Sequence, residues 1–209
     1  MKKAFTLIEM LVVIGIIAIL VGASIGGYSA MTKSAERTRC QELVSNAAIA
    51  LTALFQNEGV WPKRLSAQGA TDGRLDKDAA YALVSNGRAY FSLTKKDNKL
   101  SGHDRFGILT PWAQDVVKRL GSSASEGSKV GSMTVKDHIL HYALDLDGDG
   151  RIVGASVGGA SVDVRATAIV WCCGKDGKVD PYPYASGGSG SGKTDDVYSW
   201  TPAQTRDVR

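Results

Sequence analysis

The sequence predicts an α+β protein: one long N-terminal helix packed on a small antiparallel β-sheet, with a C-terminal loop. Three observations lead there. An uncharged apolar run, Met10 to Ala30, passes without a proline into an amphipathic pattern that ends at Gly59. Short stretches rich in β-branched, aromatic and aliphatic residues lie in the C-terminal half. Glycine is abundant (24 of 209 residues) and proline scarce (5), which suits a loop-rich sheet domain.

The apolar run sets the first element. Its 21 residues, at about 1.5 Å each, span roughly 30 Å, the thickness of a bilayer core. Lys2 and Lys3 precede it, so the N-terminus is expected to stay cytoplasmic and the body to face outward. Glu9 breaks the pattern, because a carboxylate facing lipid costs about 3 kcal/mol or more. A plain anchor or a secretory signal, with Val21 and Ala23 as small residues before a cut, would not need it. Its presence asks for a partner. The string Ala4-Phe5-Thr6-Leu7-Ile8-Glu9 resembles the leader junction of the type IV pilin and pseudopilin family. That resemblance implies cleavage by a prepilin peptidase between Ala4 and Phe5, N-methylation of the new terminus, and pairing of Glu9 with a neighbouring subunit's amine. The family usually carries Gly where this chain has Ala4.

Cys40, Leu43, Val44, Ala47, Leu51, Leu54 and Phe55 recur at three- and four-residue intervals and form one apolar stripe. One helix from about Phe5 to about Glu58 follows, its first half transmembrane and its second half amphipathic. Gly59 is the expected C-cap and Pro62 prevents continuation. Gly22, Gly26 and Gly27 each weaken the middle by roughly 1 kcal/mol relative to Ala. They mark either a place to bend or a surface for close helix packing. The organisation is therefore a leader (1–4), a transmembrane and assembly helix (5–30) and a globular domain (31–209) that includes the amphipathic half of the helix.

Between Lys63 and Lys129 the pattern is thin. Helices are expected over Asp76 to Ser85 and Pro111 to Leu120, with a polar loop from Ser122 to Gly131. Strands are expected over His138 to Leu144 and Val162 to Cys172, both in a sheet covering the helix stripe. The order of Asn57-Glu58-Gly59-Val60-Trp61-Pro62, Asp104-Arg105-Phe106-Gly107, Gly174-Lys175-Asp176-Gly177 and Asp195-Asp196-Val197-Tyr198-Ser199-Trp200 is similar to that of the major pseudopilin of type II secretion systems.

Two acidic loops are candidate calcium sites. The resemblance implies that the C-terminal loop wraps a calcium ion with Asp195 and Asp196, Asp176 being a further candidate; the bland alternative is a solvated turn. Asp145, Asp147 and Asp149, followed by Gly150 and Ile152, copy the first half of an EF-hand loop, but the twelfth position is Ser156 and a strand precedes it. A Gly/Asp hairpin turn is the alternative. His138 and His141 would face opposite sides of a strand, which disfavours a metal pair. Cys172 and Cys173 are adjacent, so only one can face the helix; buried thiols are the expectation, with a Cys40 link conceivable.

Charge narrows the function further. Without Lys2 and Lys3, 23 basic side chains face 21 acidic ones, too even a balance for nucleic-acid binding. No nucleophile–base set or phosphate loop stands out, so the chain does not read as an enzyme. The expected function is a structural subunit of a type II secretion pseudopilus, single-pass in the inner membrane with a periplasmic domain. Its implied partners are copies of itself, the prepilin peptidase, the inner-membrane assembly platform and minor pseudopilins. A type IV or DNA-uptake pilin, or a membrane-tethered calcium-binding module that does not polymerise, is the alternative.

Overall fold

The structure is a computed structural model that describes residues 7–84, 88–97, 99–182, 196–200 and 204–205, with backbone only for residues 23–30 and 33. It divides into two compact units, Met1–Thr38 and Arg39–Arg209. Helix α1, Leu7–Glu58, belongs to both and runs unbroken through Gly22, Gly26 and Gly27.

Over residues 7–22 α1 is apolar but for Glu9, and bare. Leu7, Ile8, Leu11, Ile14, Ile19 and Leu20 are all 60% exposed or more. Among the described residues no helix is long and apolar enough to cross a membrane.

The second unit begins where the stripe begins. Cys40, Val44, Ala47, Ala50, Leu51 and Leu54 are all buried, at the spacing that puts them on one face. The helix ends at Gly59, whose φ of +71° and N–H bond to Phe55 O (2.8 Å) give the expected cap. Beyond it come the short helix α2 (Lys63–Ser66), strand β1 (Gly73–Arg74) and helix α3 (Lys77–Ala82). Asp76 caps α3, its carboxylate accepting from the N–H groups of Asp78 and Ala79. The expected helix 76–85 is therefore shorter, and residue 85 lies outside the described residues. Strands β2 (Lys95–Lys96) and β3 (Lys99–Leu100) precede helix α4 (Pro111–Leu120), which has its predicted bounds. The expected polar loop after it folds into a two-stranded ribbon, β4 (Lys129–Val130) and β5 (Met133–Thr134). Val130 is buried against Ala113 and Val117 of α4 and supplies the apolar contact that pins the ribbon.

The central sheet is fully antiparallel. Strands β6 (His141–Leu144), β9 (Ala168–Cys172) and β10 (Val197–Tyr198) join β1 in the order β1-β6-β9-β10, with His141 opposite Trp171 and Leu144 opposite Ala168. Tyr142, Leu144, Val170 and Cys172 pack on the α1 stripe. Ala143, Ile169 and Trp171 face a hairpin formed by β7 (Ile152–Val157) and β8 (Ala160–Val164). The result is three layers: helix, sheet, hairpin.

This layering corrects two expectations. The strand expected over 162–172 is two strands in different sheets, β8 and β9, separated at residues 165–167. The one expected over 138–144 is shortened, because Val135–His138 is a 3-10 turn closed by a Thr134/Asp137 capping box. Every residue of β6 and β9 is buried, as in any strand covered on both faces. The thiol expectation is also corrected: Cys40 and Cys172 form a disulfide joining helix to sheet. Cys173 points elsewhere, its Sγ 3.3 Å from the Asp137 carbonyl and 3.7 Å from His138 Nδ1.

Candidate functional site

The processing residues Ala4 and Phe5 lie outside the described residues. Glu9 sits in the first turn of α1, exposed among exposed apolar neighbours. A carboxylate there faces the positive end of the helix dipole, which is worth about 0.3–1 kcal/mol. Among the described residues 7–22 it is the one charged side chain.

The loop between β6 and β7 brings Asp145, Asp147 and Asp149 together, with ligand oxygens all within 4.8 Å of one another. Asp145 is buried; its Oδ1 accepts from Gly148 N (2.7 Å) and its Oδ2 from Gly150 N (2.8 Å). Asp149 Oδ1 accepts from Arg151 N at 2.7 Å. Gly148 and Gly150 have φ of +78° and +80°, a conformation that L side chains resist. The loop is thus held by its own amide donors. From outside, Trp61 Nε1 donates to the Asp145 carbonyl at 2.6 Å and ties this turn to the segment after α1. Ser156, the position where an EF-hand places its bidentate acid, lies in β7 paired with Ser161. Three carboxylates supply only part of the six to eight oxygens calcium takes, so water would have to complete the shell.

The described part of the C-terminal loop centres on Asp196. Asp196 is buried, and its carboxylate accepts from Gly174 N (2.8 Å), Asp180 N (2.7 Å) and the Tyr198 hydroxyl (3.3 Å). These bonds pin residues 174–180 to β10, and charge-assisted bonds of this kind offset the cost of burying the acid. Asp176 Oδ1 accepts from Lys178 N (2.9 Å) in an exposed turn. Asp195 lies outside the described residues.

His138 and His141 lie in different elements rather than in one strand. His138 is in the 3-10 turn, 3.0 Å from Thr110 Oγ1. His141 begins β6, donates from Nδ1 to Asp72 Oδ1 at 2.6 Å and stacks on Trp171. The Asp72–His141 pair escaped sequence reasoning because 69 residues separate its members; only β1–β6 pairing makes them neighbours. Asp104 opens the Asp104-Arg105-Phe106-Gly107 segment. It is buried, accepts from Thr94 N at 2.8 Å and lies 3.2 Å from His103 Nε2. Gly107, at φ +106°, lies so close to the Leu75 and Asp76 backbone that an added Cβ would overlap it.

An N-terminal helix with a lone acid in an exposed apolar half, continuing into a layered α+β domain, defines the class: a pilin-like protein. The profile of the prokaryotic N-terminal methylation motif matches residues 1–25. The chain is similar to the type IV major pilin protein PilE of Neisseria gonorrhoeae, 33% identical over 114 residues, covering 54% of this chain and 68% of that one. A fimbrial protein of Neisseria meningitidis serogroup A is 25% identical over 114 residues, covering 54% and 67%. A gonococcal type IV major pilin protein PilE1 is 30% identical over 90 residues, covering 42% and 54%. No solved structure matches. The chain belongs to the type IV pilin family.

Proposed function

We propose that this protein is a structural subunit that polymerises from the inner membrane, and that its filament is a type II secretion pseudopilus. The observation that carries the polymerising reading is the exposed apolar half of α1. Twelve large apolar side chains between Leu7 and Val21 stand open to solvent; covering them is worth on the order of 20 kcal/mol. Lipid covers such a helix before assembly and other copies cover it afterwards. The run to Ala30 would then span the membrane with the domain in the periplasm, where a Cys40–Cys172 disulfide would persist. Cleavage before Phe5 and methylation there would set the terminal amine, which a neighbour's Glu9 relieves by pairing. The prepilin peptidase, the assembly platform and minor pseudopilins are the implied partners, and calcium in the Asp145–Asp149 loop would be an accessory to folding.

A second reading, a surface type IV pilus, draws on the relatives, which are named as major pilins and a fimbrial protein. Electron microscopy of cells overexpressing the chain tests both. Filaments that vanish in Glu9→Val, with membrane insertion and cleavage intact, support polymerisation; normal filaments in that variant sink the pairing mechanism. Loss of protein export without loss of surface pili in a deletion strain supports the pseudopilus, and the converse supports the surface pilus. Intact mass places the mature terminus: a start at Phe5 plus one methyl is expected, and a start at Ser24 would identify a secretory signal instead.

A further inference from the structure

A cavity of about 440 Å³ opens in the second unit between α1, α4 and the segments 90–92 and 103–108. Leu43, Ile49, Phe91, His103, Asp104 and Gln114 contribute to its wall, and the polymerisation proposed above uses none of them. The wall carries one sign of fixed charge: among the described residues that line it, Asp104 is the only carboxylate and none is lysine or arginine. Asp104 is 6% exposed, so that charge is held largely out of water. One of its oxygens accepts from Thr94 N at 2.8 Å, and the other lies 3.2 Å from His103 Nε2. An ionised carboxylate has about four lone-pair sites, so these two contacts leave it able to accept more. Gln114 spends an amide N–H on the Leu109 carbonyl at 2.8 Å, which leaves its oxygen as a second acceptor on the wall. The apolar part of the wall is open as well: Ile49 is 65% exposed, and Leu43 and Phe91 are only partly buried.

We infer that this cavity binds a primary alkylammonium group, its charge against Asp104 and its carbon chain on Ile49, Leu43 and Phe91. A negative charge with no basic side chain beside it on the wall selects a cation and repels an anion. A carboxylate held out of water is best satisfied by charged N–H donors, and an ammonium has three to give. Tyr90 and Phe91 both line the cavity, and aromatic rings attract cations in addition. A bare divalent metal fits poorly, because one carboxylate falls far short of the six to eight oxygens that calcium takes. The volume is within the range of small-ligand pockets. A free alkylamine and the four-carbon side chain of a lysine present the same group, so either source meets the chemistry of the wall.

The test is a titration of the carbon-13 labelled full-length protein in non-ionic detergent micelles, following the His103 ring Cε1–H resonance by NMR. That resonance, one of three from histidines, is assigned by its loss in His103→Gln. At about pH 8, where imidazoles are neutral and alkylamines charged, butylammonium is expected to shift it saturably. Butyrate and butanol, of the same chain length, should not. Butylammonium should bind about fivefold or more tightly than methylammonium, because its extra methylenes leave water. Asp104→Asn, which keeps an acceptor for Thr94 N, should raise the butylammonium midpoint about tenfold or more. Ile49→Ser, an exposed change that covers the case where the Asp104 variant misfolds, should shrink the advantage of butyl over methyl. An acetyl-lysine amide with a free ε-ammonium, binding more tightly than butylammonium, would support the assignment with a protein lysine as the source; butylammonium binding the more tightly would support it with a small amine. A His103 signal indifferent to butylammonium, butyrate or butanol binding as tightly, or midpoints unmoved by both variants would each overturn the assignment. None of these readouts depends on filaments, so their failure is distinct from failure of the polymerising reading.

Discussion

The two halves of α1 carry similar apolar residues to opposite ends. Leu11 is 60% exposed and Leu51 is wholly buried, in one continuous helix. The difference lies in pattern. Around Leu11 every direction is apolar, so no face of the helix is special and one small domain could not cover it all. Around Leu51 the apolar residues share one stripe, and the sheet covers that stripe. A one-sided pattern is satisfied within the chain, whereas an all-round pattern is left for lipid or for other copies.

That contrast can be broken at its covalent link first. Reducing Cys40–Cys172, or replacing both with Ser, should destabilise the second unit by about 5 kcal/mol, the chain-entropy value for so long a loop. Denaturant titration with and without reductant measures it. Thiol counting in denaturant should find one reactive group before reduction and three after.

Next, the same residue type can be truncated in each half. Leu51→Ala should cost about 3 kcal/mol of folding stability through lost burial and a cavity. Leu11→Ala should leave domain unfolding unchanged within about 0.5 kcal/mol while lowering filament yield. Equal losses of domain stability from both would show that the first half is packed in the way the second is.

Smaller effects probe the sheet beneath the stripe. The buried Tyr142 hydroxyl donates to the Leu65 carbonyl at 2.9 Å, and Tyr142→Phe removes that bond while Gly69 N still donates to the same oxygen (2.9 Å). A loss of about 1 kcal/mol is expected, read as a shift in unfolding midpoint. Burial also pushes the Tyr142 phenol above its ordinary range. Its neutral form is favoured in the fold, so stability should fall as pH rises beyond the phenol's usual titration.

The weakest expected effect is acid-dependent. The Thr134 hydroxyl bond, followed by the Thr134 N–H and the charge of Arg74, holds Asp137 below the usual carboxylate range. A depressed carboxylate contributes stability above its unfolded pKa and loses it as pH falls through the folded value. Asp137→Asn should therefore lower stability slightly at neutrality, where the carboxylate's contribution is present, and change little at low pH where the acid is protonated, so that the acid limb flattens. An unaltered acid limb would remove Asp137 from the account.

Much of this architecture is local and was readable. Periodicity alone shows the α1 stripe from Cys40 to Phe55, because a helix converts spacing into a face without reference to the rest of the chain. Gly59 and Pro62 end it by backbone geometry, and α4 starts at Pro111 for the same kind of reason. The string around Phe5 and Glu9 likewise carries the family by itself. Tertiary structure alone decided where β8 turns into β9, since a strand buried on both faces has no alternation to read. It paired Cys40 with Cys172, committed Asp196 to the amides of Gly174 and Asp180, and set Asp72 against His141 beside Trp171. Each of these joins residues far apart in sequence, and their meeting depends on which strands pair, a choice made by the whole core rather than by any one segment.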